Sequence, residues 1–298
     1  MDINSQEPLV VGLGELLWDM LPSGKQLGGA PANFAYHSQA LGCRSAVISC
    51  VGDDLLGEHA CDYLREKGLD TSYIGVDEAH QTGKVTVELD QDGVPDYTIH
   101  EEVAWDFIPS TKGLLRLAKD TDAVCYGSLC QRSEESRDTI MEFLQATRND
   151  CLRICDINLR QNYFNAETIN RLLESANILK LNDDELPIVA DLLNIKGNED
   201  ELLAQLGEKY HLDLIALTRG AEGSRLWTIG QDSEHPGIIT KIVDTVGAGD
   251  SFTAALAVGL LRQAPLEETH VHANQIASFV CTCNGAMPEL PADLIEAD

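Results

Sequence analysis

Short apolar runs recur along the chain, and most of them end in Gly, Asn or Asp. They are LVVGLG (9–14), SAVISCVG (45–52), AVCYGS (123–128), LRICDIN (152–158), NILKLN (177–182) and LIALTRG (214–220). Helical patterns separate many of them: ANFAYHSQALG (32–42), GEHACDYLREKG (57–68), SRDTIMEFLQATR (136–148) and AETINRLLESA (166–176). Strands that alternate with helices predict a parallel sheet covered on both faces, with ligands bound beyond the carboxyl ends of its strands.

A hairpin interrupts this alternation. In KVTVELDQDGVPDYTIH (84–100), Val85, Val87 and Leu89 alternate with polar residues, and Asp92–Gly93 is a turn signal. The segment 15–29 also lacks a helical period, so we expect it to pair with the hairpin in a small separate sheet.

Composition narrows the classes of function. A chain of 298 residues suits one large α/β domain with a small appendage. Its net charge of −28 argues against nucleic-acid binding. The nine cysteines show no zinc-site spacing, so we interpret them as core residues in a reducing cytosol. No apolar run is long enough for a membrane span, and the N-terminus does not resemble a signal peptide.

The segment DTVGAGD (244–250) places a glycine turn directly before the apolar helical pattern SFTAALAVGLLRQ. The first N–H groups of a helix lack partners and carry partial positive charge, so those of Gly247, Ala248 and Gly249 predict an anion hole. Asp250 could then remove a proton from a hydroxyl that attacks phosphate. Alternatively, it is only an acid favoured at a helix start. A P-loop is excluded, because no Gly-Lys-Ser/Thr follows.

Polar residues in five other segments could carry chemistry. They are Asp19 in LLWDMLP, Asn33 in LGGAPANFA, the polar positions of DINLR (156–160), NDDE (182–185) and LTRGAEGS (217–224). The planar guanidinium of Arg160 can form two parallel hydrogen bonds to a phosphate or carboxylate. The carboxylates and the amide of NDDE are suitable ligands for a hydrated Mg²⁺. Taken singly, each segment is explained as well by a helix cap, a solvated acid or a plain turn.

Taken together, these segments resemble the PfkB (ribokinase-like) carbohydrate kinases from about Leu9 to Pro291. DTVGAGDSFTAAL is similar to the C-terminal signature of that family. GGAPANFAYHSQALG and VISCVGDDLLGEHACDYLREKGLD are similar to its N-terminal signature, and NDDE to its N-x-x-E element. Within the family, GELLWDMLP, GGAPANFA, DINLR and LTRGAEGS are most similar to bacterial fructokinases. Ribokinases usually carry a lysine after the double glycine, where this chain has Ala30.

The resemblance implies a three-layer α/β/α domain with a mainly parallel central sheet and a small β-sheet lid. The main domain is expected to contain 1–14, 30–83 and 107–298, and the lid 15–29 and 84–106. The implied cofactors are ATP and Mg²⁺, together with K⁺.

Roles are implied residue by residue. Sugar-binding positions are Asp19, Gly28, Gly29, Asn33, Arg160 and Asp250, and Arg160 reaches either the sugar or the transferred phosphoryl group. Asp250 matches the catalytic base, beside the anion hole of Gly247, Ala248 and Gly249. Nucleotide positions are Asn182, Thr218, Gly220, Gly223, Gly247, Gly249 and Asn274. Asn182 and Glu185 match Mg²⁺ positions that act through water. Asp244 and the carbonyls of Val246, Val280, Cys283 and Gly285 match a monovalent cation site.

Two departures from the family pattern are modest. Ile157 stands where proline is common, and CTCNGAMPELP (281–291) lacks the basic residues often found before its glycine.

The expected activity is ATP-dependent phosphorylation of the 6-hydroxyl of D-fructose in the cytoplasm. Alternatives are a kinase of the same fold for 2-keto-3-deoxygluconate, ribose or a nucleoside, or a silent sugar-binding regulator. A nucleoside kinase would stack a base on aromatic residues, and Trp18, Tyr97 and Trp105 fall in the predicted lid. A small amphipathic lid is also expected to be covered by a partner's lid in a homodimer.

Overall fold

The computed structural model describes residues 7–21, 24–89 and 95–295. Within these ranges the strands are β1 (Leu9–Leu13), β2 (Leu17–Leu21), β3 (Gly24–Gly28), β4 (Arg44–Gly52), β5 (Ile74–Asp77), β6 (Gly83–Leu89), β7 (Pro95–Ile99), β8 (Ala123–Gly127), β9 (Leu152–Asp156), β10 (Ile178–Asn182), β11 (Leu214–Thr218), β12 (Ser224–Thr228) and β13 (Gln231–His235). The helices are α1 (Ala30–Ala40), α2 (Leu55–Glu66), α3 (Lys112–Asp120), α4 (Glu134–Ala146), α5 (Ala166–Ser175), α6 (Glu185–Leu192), α7 (Glu199–Tyr210), α8 (Ala248–Leu261), α9 (Leu266–Cys281) and α10 (Ala292–Ile295).

The large sheet has the strand order β13-β12-β11-β10-β9-β8-β1-β4-β5. From β5 to β11 every neighbouring pair is parallel, and β12 and β13 add two antiparallel strands at one edge. The six apolar runs all form strands of this sheet, as predicted. The direction of strand addition reverses at β1, which lies between β4 and β8. A sheet of this type binds ligands beyond the carboxyl ends of its strands, close to such a reversal.

Helices cover both faces of the sheet. Alternate residues of a strand point to opposite faces. Val10 therefore belongs to the core cluster that contains residues of α1, α8 and α9, while its neighbours Leu9 and Val11 belong to the cluster that contains residues of α3 to α7. A third cluster packs α1 and α2 around Val47 and Val51 of β4. The three-layer α/β/α fold with a mainly parallel sheet is therefore confirmed.

The small sheet has the order β3-β2-β6-β7. Strands β2 and β3 are antiparallel, β2 and β6 are parallel, and β6 and β7 form the predicted hairpin. The pairing expected between the segment 15–29 and the hairpin is therefore present. The predicted turn at Asp92–Gly93 lies outside the described residues.

The cysteines are all unpaired, and seven of the nine are buried. These seven pack in the core, as the sequence predicted, while Cys281 and Cys283 are half-buried. Among the described residues, no helix is both long enough and apolar enough to cross a membrane.

Candidate active site

A cleft of about 1020 Å³ lies beyond the carboxyl ends of the parallel strands and is also lined by the small sheet. Sixteen of the residues singled out from the sequence line it: Asp19, Gly28, Gly29, Asn33, Arg160, Asn182, Glu185, Thr218, Gly220, Gly223, Val246, Gly247, Ala248, Gly249, Asp250 and Asn274. The other four, Asp244, Val280, Cys283 and Gly285, lie outside its lining. Residues from almost the whole length of the chain therefore meet in one cavity.

Helix α8 begins at the glycine turn. Its N-cap, Gly247, has a φ of 80°, which side chains other than glycine adopt at a cost. A Cβ at Gly247 would also lie 2.7 Å from the carbonyl oxygen of Ala286, so the turn packs directly on that loop. Ser251 donates the first i−4 bond of the helix, to the Gly247 oxygen at 2.8 Å. The preceding N–H groups have no i−4 partner inside the helix, although the Ala248 N–H donates to the Thr245 oxygen at 3.3 Å.

Asp250 lies in the first turn of α8 and meets helix α1 there. Its Oδ2 accepts a hydrogen bond from Asn33 Nδ2 at 2.7 Å, and Asn33 itself is 3% exposed. Burial, followed by the nearby charge of Asp156, raises the pKa of Asp250 to about 6, against the Asn33 hydrogen bond and the charges of Lys180 and Arg160. A carboxylate with this pKa is ionised at neutral pH and close to the optimum for proton transfer.

Asp19 and Arg160 belong to the small sheet and to the loop after β9, respectively. Burial raises the pKa of Asp19, and the positive charge of Arg160 lowers it. The Arg160 loop is tied to the small sheet, because Gln161 Nε2 donates to the Tyr97 oxygen at 2.6 Å. Arg160 also acts on the pKa of Asp250, so the guanidinium lies within electrostatic reach of both acids. The charge of Arg160 therefore lowers the pKa of acids from different parts of the chain.

Glu15 is a buried acid that the sequence analysis did not single out. It follows β1, lines the cleft and is 3% exposed, and its Oε2 has no protein partner. Burial raises the pKa of Glu15 to about 7, against hydrogen bonds from the backbone and the charge of Arg160. The cleft therefore contains a carboxyl group that is partly protonated at neutral pH.

Glu15→Gln should stabilise the free protein at pH 8 and leave it nearly unchanged at pH 4. A carboxyl whose pKa is raised on folding contributes stability below its unfolded pKa, and that contribution is lost as the pH rises towards 7. A rise of this size corresponds to roughly 3 kcal/mol at pH 8, and glutamine has no charge to desolvate. Urea unfolding at the two pH values measures the gain. The control is Glu135→Gln, an exposed acid of α4. An equal gain at both pH values would show that charge burial is not its cause.

Asn182 and Glu185 form a reciprocal cap at the start of α6. Asn182 Oδ1 accepts from the Glu185 N–H, and Glu185 Oε2 accepts from the Asn182 N–H, both at 2.8 Å. Glu185 Oε1 accepts from the Leu159 N–H at 2.8 Å, which fixes the loop after β9. Each carboxylate oxygen keeps a further lone pair, so the pair can still accept hydrogen bonds from metal-bound water.

The segment after β11 forms a tight turn at the other end of the cleft. The Arg219 N–H donates to the Gly223 oxygen at 2.7 Å, and both Gly220 and Gly223 have positive φ. Asn274 lies beside this turn, but its amide is bound to Ser224 and to the His270 oxygen. The Asn274 side chain therefore links α9 to β12 through hydrogen bonds within the protein.

Asp244 links the two loops that flank the α8 N-terminus. Its carboxylate accepts from the N–H groups of Val246 at 3.0 Å and Gly285 at 3.1 Å. The Val280 oxygen accepts from the Cys283 N–H at 3.0 Å. These residues are thus neighbours on a short network behind the cleft.

Lys180 lines the cleft and is paired with Asp156, which lies outside the lining. Lys180 Nζ donates to Asp156 Oδ1 at 3.0 Å, and both residues are buried. Sequence reasoning treated Lys180 as part of an apolar strand. The signal was its charge within NILKLN, because a charged residue in a strand covered on both faces must be paired or functional.

Comparison with known proteins agrees with this arrangement. The family model described as "pfkB family carbohydrate kinase" matches residues 23–293. The chain therefore belongs to the pfkB family of carbohydrate kinases.

Curated and solved relatives are similar over nearly their full length. A protein named probable fructokinase-5 from Arabidopsis thaliana is 30% identical, over 95% of this chain and 94% of that protein. A fructokinase from Klebsiella pneumoniae is 30% identical, over 94% and 95%. The crystal structure of an uncharacterized sugar kinase from Pyrococcus horikoshii in complex with ATP has a TM-score of 0.79 and 29% identity, and covers 94% of each chain.

Proposed function

We propose that the chain is an ATP-dependent kinase that phosphorylates the 6-hydroxyl of D-fructose. Relatives named fructokinase at about 30% identity support the sugar, and the ATP complex of the P. horikoshii sugar kinase supports the nucleotide. The observation that carries the proposal is the start of α8, where Asp250 follows the glycine turn and is held by Asn33 inside the cleft. Phosphoryl transfer to a hydroxyl uses a proton acceptor and donors that meet the transferred charge, and the first turn of α8 supplies an acid and N–H groups without a partner inside the helix.

In this proposal the sugar binds between the small sheet and the start of α1. Asp19 and Asn33 read its hydroxyls, since a carboxylate accepts two hydrogen bonds and an amide both donates and accepts. Gly28 and Gly29 allow the sugar to approach the backbone, and Arg160 contacts the sugar or the transferred group.

The nucleotide is proposed to lie along the ends of β10 and β11, at Asn182 and at the Thr218, Gly220 and Gly223 turn, with Asn274 on the adenine side. The described residues contain no cluster of three or more His, Cys, Asp or Glu that could hold a metal ion. Mg²⁺ would then be held by ATP phosphates and by water bound to Asn182 and Glu185, which suits its preference for few protein ligands. When bound, it would neutralise charge on the β and γ oxygens.

Transfer then follows from charge placement. Asp250 removes the proton of the 6-hydroxyl, the sugar oxygen forms a bond to the γ-phosphorus, and the bond to the bridging oxygen breaks to release ADP. The N–H groups at Gly247, Ala248 and Gly249 meet the charge on the transferred oxygens. A monovalent cation such as K⁺ is proposed at Asp244 with the carbonyls of Val246, Val280, Cys283 and Gly285, where it would brace that turn.

The positions of the aromatic residues disfavour a nucleoside substrate. Trp105 is completely buried, and Trp18 is 5% exposed and donates its indole N–H to the Leu56 oxygen. Neither lines the cleft, so Tyr97 alone of the three could stack on a base. The proposed sugar site therefore offers mainly groups that hydrogen-bond to hydroxyls, and few aromatic rings on which a base could stack.

Measurement of ADP release across fructose, ribose, 2-keto-3-deoxygluconate and nucleosides tests the proposal. Fructose should give the highest kcat/KM, and phosphorus NMR should identify the product as fructose 6-phosphate. A higher kcat/KM for another substrate would show that fructose is not the preferred acceptor. No turnover with any of these compounds would favour a silent sugar-binding protein.

The small sheet is proposed to act as a lid made of 15–29 and 84–106, on a main domain of 1–14, 30–83 and 107–298. Its closure would exclude water and so suppress ATP hydrolysis. We also propose a cytoplasmic location, because nine unpaired cysteines suit a reducing compartment.

A homodimer through the lid is expected. Among the described residues the lid sheet has four strands, and its edge strands β3 and β7 have no further partner. Small sheets of this kind are seldom left with open edges and faces. Light scattering at concentrations where the enzyme is active should give twice the chain mass. A strictly monomeric mass would contradict this assembly.

A further inference from the structure

The ammonium group of Lys180 lies beside the N-terminus of α8. It lies in β10, two residues before Asn182, and is 7% exposed, yet it lines the cleft. A Cβ built on Gly249 would lie 3.0 Å from Lys180 Nζ. The ammonium is therefore directly against the first turn of α8, and the missing side chain of Gly249 makes room for it.

Only part of the hydrogen-bonding capacity of Lys180 is used by the protein. An ammonium has three donors, and the described contact of Nζ is the bond to Asp156 at 3.0 Å. Donors beyond that bond lie in a group that borders the cleft. A ligand oxygen placed at the start of α8 could accept from it.

The charges around Lys180 are unbalanced. Asp156 of β9, Glu185 of α6 and Asp250 of α8 all face it, with Arg160 farther along the cleft. Burial alone would lower the pKa of Lys180, but these carboxylates outweigh burial and raise it, so the group is a permanent cation. Without the Lys180 ammonium, a phosphate bound at the start of α8 would be repelled by three carboxylates. Only the dipole of α8 would then attract it.

We propose that Lys180 is a catalytic residue whose ammonium donates to an oxygen of the phosphoryl group in transfer, while Asp156 orients it. The proposal rests on the kinase function proposed above. Lys180 and the N–H groups of the α8 turn would bind different oxygens of the phosphoryl group. Lys180 would act through its full positive charge, and the N–H groups would act through their dipoles. The effect is largest in the transition state, where charge spreads over these oxygens.

A structural role is the alternative, because Lys180 is also the counter-ion of buried Asp156. Removing one member of a buried pair destabilises a protein strongly, so Lys180→Met alone could lose activity by unfolding. The double variant Asp156→Asn/Lys180→Met contains neither charge and avoids this difficulty. Comparing it with Asp156→Asn isolates the loss of the ammonium in a background where Asp156 is already neutral.

The experiment measures kcat, unfolding by urea and nucleotide affinity for the wild type and these variants. The double variant should remain folded, and its kcat should be about 10²-fold below that of Asp156→Asn, the usual effect of removing one donor to a developing charge. Calorimetry should show weaker binding of a non-hydrolysable ATP analogue and unchanged binding of ADP, which lacks the γ-phosphate. The acid limb of kcat should also move to higher pH, because Lys180 lowers the pKa of Asp250.

Equal kcat values for the double variant and Asp156→Asn would overturn the assignment and leave Lys180 as a counter-ion. Failure of the proposed function is distinguishable, because it would appear in the wild type. A wild-type chain that prefers another sugar leaves the Lys180 assignment in place. One that transfers phosphate to no acceptor overturns both.

Discussion

Asp250→Asn should lower kcat by about 10²–10⁴-fold, which is the usual loss when a general base is removed. Asparagine keeps the shape of the side chain and can still accept from Asn33, but it takes no proton. Calorimetry should still detect binding of fructose and ATP. The free protein should also become more stable above pH 6, because burial raises the pKa of Asp250 and the charged form is the costly one.

The control is Glu268→Gln, which removes an exposed acid from the first turn of the neighbouring helix α9. That substitution should leave kcat within twofold of the wild type. If Asp250→Asn behaves in the same way, Asp250 is only an acid at a helix start.

Asp19→Ala should weaken fructose binding by at least tenfold and leave ATP binding nearly intact. Asp19 lies in the middle of β2, faces the cleft and is electrostatically coupled to Arg160. Each sugar hydroxyl left without its partner costs roughly 1–3 kcal/mol, and a carboxylate can bind two of them. Fluorescence or calorimetric titration with fructose, followed by steady-state kinetics, measures the change.

Lys25→Ala provides the matched control for this substitution. Lys25 lies on the adjacent strand β3. Its Nζ is 4.2 Å from the centroid of the Trp18 ring, and the residue does not line the cleft. Fructose affinity should therefore survive its removal. A KM for fructose that is unchanged in Asp19→Ala would place the sugar elsewhere in the cleft.

The sequence predicted the fold well where local signals were strong. Apolar runs ending in Gly, Asn or Asp became the parallel strands, and the glycines that end the helical patterns 32–42 and 57–68 lie just beyond α1 and α2. Strand β13 was missed, because its residues QDSEH are polar and an edge strand needs little apolar surface. Its place in the sheet comes from pairing with β12, which a local pattern does not reveal.

The candidate site divides in the same way. Residues next to glycine turns and strand ends, such as Asp250 and Asn182, could be found because the turn itself is visible in the sequence. Glu15 and Lys180 could not be assigned, since their roles depend on what surrounds them. Glu15 is unusual because it is buried without a partner for Oε2, and Lys180 because it lies against the start of α8, a helix far along the chain.

Helix α1 fastens the two ends of the chain together. Asn33 bonds to Asp250, Tyr36 to the Pro288 oxygen and His37 to the Ala286 oxygen, across sequence separations of 217, 252 and 249 residues. Contacts of such long range form late in folding, because the loop that they close is costly in entropy. A refolding chain would regain its helices and central strands before it gained a competent base. The recovery of enzyme activity after dilution from denaturant should therefore report the rate at which α1 docks on these C-terminal segments. Secondary structure measured by circular dichroism should recover faster than activity.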